Sequence, residues 1–105
     1  MGIIDGSEVD IFIGMCKQNI REYRHFVELL KKEGLELPLS VPAYKRLAMV
    51  YEKQARYEEA ISICAEAIRM GAVDDGTKGR MRGRLSRLIR KNGGNTSPAV
   101  WKLLD

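Results

Sequence analysis

Residues 41–74 contain the pattern that decides the fold, and they read VPAYKRLAMVYEKQARYEEAISICAEAIRMGAVD. Apolar residues recur three or four positions apart in two runs: Tyr44, Leu47, Ala48 and Tyr51, then Tyr57, Ala60, Ile61, Cys64, Ala67 and Ile68. This spacing places each run on one face of an α-helix. The step of six from Tyr51 to Tyr57 breaks the phase, so we predict a tight turn over 54–56 and a hairpin of two antiparallel helices.

The ends of this hairpin carry helix start and stop signals. The Ser40 hydroxyl can accept a hydrogen bond from the free N–H groups of a first turn, and Pro42 fits there because its missing N–H costs nothing. Gly71 suits the left-handed residue that ends a helix, and Arg69 in the last turn faces the negative end of the helix dipole. The hairpin is therefore expected to fill residues 41–74.

Upstream of the hairpin, the spacing predicts a long helix over about residues 8–33. Its apolar positions are Val9, Phe12, Cys16, Ile20, Tyr23, Val27 and Leu30. Gly34 suits a left-handed cap at the end, and Pro38 follows soon after. The start is less well marked, because Gly14 weakens a helix interior by about 1 kcal/mol and the apolar residues around it also alternate at the period of a strand. A break near Gly14, giving two helices, is kept as an alternative.

Downstream, a further helix is predicted over about residues 77–91. Its inner face consists of Met81, Leu85, Leu88 and Ile89. Gly93 and Gly94 end it, and a short C-terminal turn over 97–104 follows. The apolar residues of that turn are Val100, Trp101, Leu103 and Leu104. We expect them to fold back over a helix end, because they would otherwise form an exposed apolar tail.

These elements predict an all-α fold, a stack of four to five antiparallel helices in a single domain over residues 1–105. The chain's 105 residues, 45% apolar and 30% charged, allow one modest core. No apolar run approaches the roughly 20 residues that cross a bilayer, and residues 1–8 hold two acids and no Lys or Arg, unlike a secretory signal. Cys16 and Cys64 are too far apart for a metal knuckle and are expected as reduced, buried thiols. We therefore expect a cytoplasmic protein.

The hairpin resembles a tetratricopeptide repeat, a 34-residue helix-turn-helix unit that stacks into superhelices. The residues that carry the resemblance are Tyr44, Leu47, Ala48, Tyr51, Ala60, Cys64 and Ala67, with the run RYEEAI at 56–61. Cys64 and Ala72 depart from the aromatic residue and the proline that are usual at their positions. A weaker echo lies 37 residues upstream, where Tyr23, Val27, Leu30 and Gly34 precede Ala60, Cys64, Ala67 and Gly71.

This resemblance implies a module for protein–protein interaction, whose concave groove is lined by the first helix of the unit. The groove residues by resemblance are Lys45, Met49, Glu52 and Lys53. That helix has no Asn, so a clamp for a peptide's terminal carboxylate is not expected, and a merely solvated face explains the same residues. The helix over 77–91 resembles the closing helix of such stacks. Since about three units are normally needed for stability, the long N-terminal helix supplies the missing cover or the chain forms a homodimer.

The net charge of +4 is unevenly distributed, with −3 over residues 1–75 and +7 over 76–105. At about 100° per residue, four cations of the downstream helix fall within roughly 60° of one another, and we call them the basic ridge: Arg80, Arg84, Arg87 and Lys91. Their mutual repulsion favours an acidic partner, either a protein or, as an alternative function, the phosphates of a nucleic acid. A solubilising face on a terminal helix explains the same charges without a partner.

The sequence contains no pattern that indicates catalysis. His25 is the single histidine, and no nucleophile accompanies it at helical spacing. Glu58 and Glu59 open a helix, where the dipole favours acidic side chains. The glycines of 76–83 and 93–94 match no phosphate-binding motif, and no residues have the spacing of metal ligands. We expect that the protein is not an enzyme and binds neither a cofactor nor a metal.

Overall fold

Helices make up the regular structure of the computed structural model, which describes residues 6–38 and 40–105. The five helices of these residues are α1 Gly6–Lys32, α2 Pro42–Lys53, α3 Tyr57–Arg69, α4 Arg80–Lys91 and α5 Pro98–Lys102. Within the described residues there is no strand, and a single isolated bridge joins Ser40 to Asp74. The all-α class is therefore confirmed for the described part of the chain.

Helix α1 runs without a break through Gly14, so the alternative of two helices is wrong. Its buried residues are Ile13, Cys16, Ile20, Tyr23 and Val27. Phe12, which the sequence assigned to the buried stripe, is instead 38% exposed, and Ile13 takes the inward position. The helix ends as expected, with Gly34 in the left-handed region at a φ of 72°.

Helices α2 and α3 occupy the segment for which the sequence predicts a hairpin, and they pack against each other. The turn between them lies where the phase of the apolar pattern breaks. Ala55 takes a left-handed φ of 57°, and the Arg56 N–H donates to the Tyr51 carbonyl at 2.8 Å. The expected cap by Ser40 is wrong. The residue before the helix is Val41, with no side-chain cap, and Ser40 lies one residue further back, where its backbone bridges to Asp74.

Small residues are buried where α2 and α3 pack together. The residues of the hairpin that are no more than 1% exposed are Tyr44, Leu47, Ala48, Ala60, Cys64, Ala65 and Ala67. Four of the seven are alanines, so the two helices can approach closely while Tyr44 and Leu47 fill the space beside them.

Helix α4 begins at Arg80, three residues later than expected, because 77–79 form a turn. Its predicted inner face is buried: Met81, Leu85, Leu88 and Ile89. In α5 the Ser97 hydroxyl accepts a hydrogen bond from the Val100 N–H. Val100 belongs to the core, whereas Trp101 is 45% exposed, so the C-terminal turn covers the core with one of its first two apolar residues.

The first four helices pack in chain order, with α1 on α2, α2 on α3 and α3 on α4. The array is elongated and measures 44 × 31 × 24 Å. Within the described residues, no helix combines the length and apolar character required to cross a membrane. Helix α1 stands at one end of this order and packs on α2, and several of its large apolar residues remain exposed: Ile11, Met15, Phe26 and Leu29.

Candidate partner-binding groove

The first turns of α1 and the outer side of α2 form an open groove of about 540 Å³. Its apolar lining consists of Val9, Phe12, Met49 and Val50, and its charged or polar lining consists of Glu8, Arg46, Lys53 and Gln54. Phe12 and Met49 are each 38% exposed. An open groove with an apolar floor and a polar rim has the character of a site for a peptide or protein segment.

The groove exists because α2 has two apolar faces. Its Tyr44, Leu47 and Tyr51 are buried, whereas Met49 and Val50 lie on another side of the helix and remain partly exposed. Arg46, Met49, Val50 and Lys53 follow one another at steps of three, one and three residues, which places them on one face. The same spacing rule that found the core could therefore have found this second face.

The four groove residues expected by resemblance are divided by the structure. Met49 and Lys53 line the groove. Lys45 lines an adjoining cavity of about 480 Å³, which shares Arg46 and Met49 with the groove and extends to 74–76. Glu52 lines neither cavity and instead pairs with Lys91 of α4. The structure therefore brings three of the four residues to one continuous surface and leaves Glu52 out of it.

The rim of the groove on the α2 side is cationic. Arg46 and Lys53 are exposed, and neither forms an ion pair with any residue that the structure describes. Gln54 adds a neutral donor and acceptor, and Glu8 is the acidic residue of the α1 side. A partner segment with acidic side chains facing α2 would therefore meet two cations that form no ion pair within the described part of the chain.

The basic ridge does not form as the sequence predicted. Arg84 is buried, and its Nε donates to the Asp75 carboxylate at 2.8 Å. Lys91 pairs with Glu52. Arg80 and Arg87 are exposed and form no ion pair within the described residues. The prediction that Arg84 belongs to an exposed ridge is therefore wrong. Arg84 lies only about 40° around the helix from Leu88, and Asp75 holds it on the buried side.

A different set of cations occupies the outer face of α4. Its exposed arginines without an ion pair among the described residues are Arg80, Arg82, Arg87 and Arg90. Gly83 and Ser86, both half-buried, lie on the same side of the helix. We call the four exposed arginines, Arg80, Arg82, Arg87 and Arg90, the arginine face. No acidic residue occurs in α4, so the helix itself contains nothing that neutralises the arginine face.

Asp75 organises the approach to α4, a role that the sequence did not suggest. One carboxylate oxygen accepts the Thr77 N–H at 2.9 Å and the Thr77 hydroxyl, and the other accepts the Arg84 Nε–H. Burial by itself raises the pKa of the Asp75 carboxyl, but the hydrogen bonds from Thr77 and Arg84 outweigh it and hold that pKa below its usual range. Asp75 therefore stays ionised and holds Arg84 in the core.

A second polar cluster joins three helices. The Tyr44 hydroxyl of α2 donates to Glu66 of α3 at 2.6 Å, and Arg24 of α1 forms an ion pair with the same carboxylate. The Tyr23 ring stands edge-on to Tyr44, with 5.9 Å between centroids, and its hydroxyl donates to the Met70 carbonyl. Burial, reinforced by the hydrogen bond to Glu66, raises the pKa of Tyr44 far above its usual value, so this hydroxyl serves as a fixed hydrogen-bond donor.

The remaining residues with reactive side chains are two cysteines and one histidine. Cys16 and Cys64 are buried and free, and burial raises the pKa of Cys64 to about 12. The Cys64 thiol is therefore protonated at neutral pH, whereas a reactive cysteine has a lowered pKa. His25 is exposed on α1. Among the described residues, no group of three His, Cys, Asp or Glu side chains is close enough to hold a metal ion.

In comparisons with models of protein families, with curated proteins and with solved structures, nothing matches this chain. The geometry of the groove and of the exposed cations is therefore what indicates the function of this protein.

Proposed function

We propose that this protein is a module for protein–protein interaction, built as a tetratricopeptide-like antiparallel helical stack, whose groove between α1 and α2 binds a segment of a partner protein. The buried alanines at the α2–α3 contact, Ala48, Ala60 and Ala67, support the tetratricopeptide-like arrangement. The turn at 54–56 supports it as well. The packing of α1 on α2 supports α1 as the cover that a single unit requires.

The observation that carries the proposal is the exposed apolar floor beside unpaired cations. Phe12 and Met49 are accessible, and Arg46 and Lys53 stand next to them without ion pairs among the described residues. The partner segment that complements this surface is amphipathic, with apolar side chains at helical spacing for the floor. Its acidic side chains would face Arg46 and Lys53, where they steer association and set its orientation.

A displayed library of helical peptides tests this function. Each peptide carries two apolar residues four positions apart, flanked at random by acidic, neutral or basic residues. We expect the protein to enrich acidic flanks, and Met49→Glu to weaken the selected peptides at least about ten-fold by placing a charge in the apolar floor. Leu35→Glu is the matched control, because Leu35 is an exposed apolar residue that does not line the groove.

Two outcomes would contradict the groove. The first is the enrichment of basic flanks, and the second is selected binding that survives Met49→Glu. Circular dichroism of each variant shows whether the helices persist. Because Met49 is partly exposed on α2, we expect both variants to retain the helical spectrum of the parent.

A second candidate function is supported by the arginine face. Arg80, Arg82, Arg87 and Arg90 can contact the phosphates of a nucleic acid, and such binding weakens log-linearly with salt concentration. The double variant Arg87→Glu with Arg90→Glu should then abolish retention of single- and double-stranded nucleic acid at low salt, whereas Met49→Glu should not affect it. Retention that survives the double variant would rule out this face as the site.

The proposed role is binding without catalysis, cofactor or metal, exerted in the cytoplasm. Two buried free thiols are in keeping with a reducing compartment. The groove and the arginine face offer apolar area and positive charge, which are the means of recognition.

A further inference from the structure

Helix α1 carries a second apolar face, which is exposed to solvent and is separate from the face that packs in the core. Its exposed apolar residues are Ile11, Phe12, Met15, Phe26 and Leu29, between 38% and 64% exposed. None of them belongs to the buried set of α1. Five large exposed apolar side chains on one helix exceed what a solvated surface helix usually carries.

Four of these residues follow the pattern of a coiled-coil seam, and the fifth, Ile11, lies beside it, one helical turn before Met15. Positions 12, 15, 19, 22, 26 and 29 are spaced three and four apart, so they lie along one side of α1 over about 25 Å. The seam begins with Phe12 and Met15, ends with Phe26 and Leu29, and has Asn19 and Glu22 at its centre. Apolar ends of equal length therefore flank a polar middle.

We propose that this seam is the interface of a homodimer, in which α1 packs antiparallel against α1 of a second copy. In an antiparallel pair Phe12 meets the second copy's Leu29, Met15 meets its Phe26 and Asn19 meets its Glu22. A two-fold axis between residues 20 and 21 generates each of these contacts twice, as an isologous interface requires. The seam is thus complementary to itself.

The central polar residues select the antiparallel orientation. In a parallel pair Glu22 would face the same carboxylate of the second copy, and like charges in a seam are destabilising. In the antiparallel pair the Asn19 amide donates to the Glu22 carboxylate of the second copy. The helix dipoles are then opposed as well, which adds a smaller favourable contribution.

The available area fits a weak dimer. Phe12 and Phe26 are aromatic side chains, which bury about 150 to 250 Å² each, and Ile11, Met15 and Leu29 are somewhat smaller. At 38% to 64% exposure, the four seam residues and the flanking Ile11 together provide on the order of 500 Å² per copy. Two copies then bury about 1,000 Å² in total, the lower limit for a specific interface. We therefore expect the dissociation constant of the dimer to be on the order of 10 µM. This interface shares Phe12 alone with the groove, and the other residues of the two surfaces differ.

Sedimentation equilibrium of the full chain, from about 1 µM to about 1 mM to bracket that value, tests the proposal. We expect a reversible monomer–dimer equilibrium that Phe26→Glu weakens at least about ten-fold. Leu35→Glu is the matched control, because Leu35 is 60% exposed and lies beyond the end of α1. A parent that stays monomeric throughout would overturn the proposal, and so would a dimer that Phe26→Glu leaves unchanged.

Cysteine cross-linking tests the orientation. A chain carrying Met15→Cys, mixed with a chain carrying Phe26→Cys, should form the mixed disulfide in preference to either self-disulfide, while the native thiols are buried. Self-disulfides formed by each chain alone would overturn the antiparallel arrangement. Met49→Glu should leave the dimer intact, so failure of the dimer and failure of the groove are distinguishable.

Discussion

The buried ion pair between Asp75 and Arg84 shows how one residue determines whether another is buried or exposed. Arg84 has the sequence context of an exposed ridge residue, yet it is buried against a carboxylate that is itself fully buried. Removing one partner from a buried ion pair leaves the other charge uncompensated, which costs about 3 to 5 kcal/mol. The free energy of unfolding should therefore depend strongly on the ionisation of Asp75.

The pH dependence of stability tests this contribution. The folded-state pKa of Asp75 is lowered, so its stabilisation is present above the unfolded-state value of about 3.9 and is lost as pH falls through the folded pKa. Urea unfolding of the parent and of Asp75→Asn should differ most at neutral pH and converge below about pH 4, because protonated Asp75 also leaves Arg84 unpaired. A difference that stays constant from pH 7 to pH 3 would contradict this assignment.

Ala60 tests the close approach of α2 and α3. Its side chain is fully buried in the hairpin, and overpacking of a well-packed core costs about 1 to 3 kcal/mol. Ala60→Leu should lower the free energy of unfolding by this amount, measured by thermal and urea denaturation. Ala55→Leu is the control, since Ala55 is exposed in the turn; because its φ is positive, the strain of a larger residue there should already be present in the parent. A variant at 60 as stable as its parent would show that the helices do not meet there.

At the residue scale, helical spacing predicts that residues at the centre of an apolar face are buried. It does not predict whether residues at the edge of that face are buried or exposed. Tyr44, Leu47 and Ala60 could be assigned to the core because each lies at the centre of an apolar face. Phe12 and Arg84 lie at the edges of their faces. Phe12 is left partly open by the groove, and Arg84 is drawn in by Asp75. These outcomes depend on the path of other segments, which helical periodicity does not contain.

Gly14 lies inside α1, at a position where a glycine is expected to weaken the helix. The helix continues through it, and a Cβ at this position would meet no atom within 4 Å. Gly14→Ala should therefore stabilise the protein by about 0.5 to 1 kcal/mol through helix propensity alone. A rise in the thermal midpoint checks this, and a fall would indicate that the glycine is required for another reason.

At the element scale, the helix ends were predictable where a glycine or a cap acts locally. Gly34 and Gly71 adopt the left-handed conformation, and Ser97 caps α5. The start of α2 and the start of α4 were not predictable, because Ser40 bridges to Asp74 and the loop before α4 is held by Asp75. Local signals thus fail where a contact from a distant segment competes with them.

At the scale of the whole molecule, what the sequence could not predict is the contact between α1 and α2 that creates the groove. Met49 and Lys53 were named from a resemblance, whereas Val9 and Phe12 enter the groove because the first turns of α1 lie beside α2. Each helix can be located from its own periodicity. A groove between two helices requires their relative position, which depends on side-chain packing along the entire contact.

The order of helix packing predicts which helices open first. Helices α2 and α3 each pack on two neighbouring helices, whereas α1 and α4 stand towards the ends of the order. In such an array stability is approximately a sum over neighbouring contacts, so local opening should begin at the ends. Amide hydrogen exchange, measured on the Phe26→Glu variant to keep α1 unpaired, should be slowest in α2 and α3. Equal protection in all four helices would show instead that they unfold as one unit, and protection of α1 that increases with the concentration of the parent protein would locate self-association on that helix.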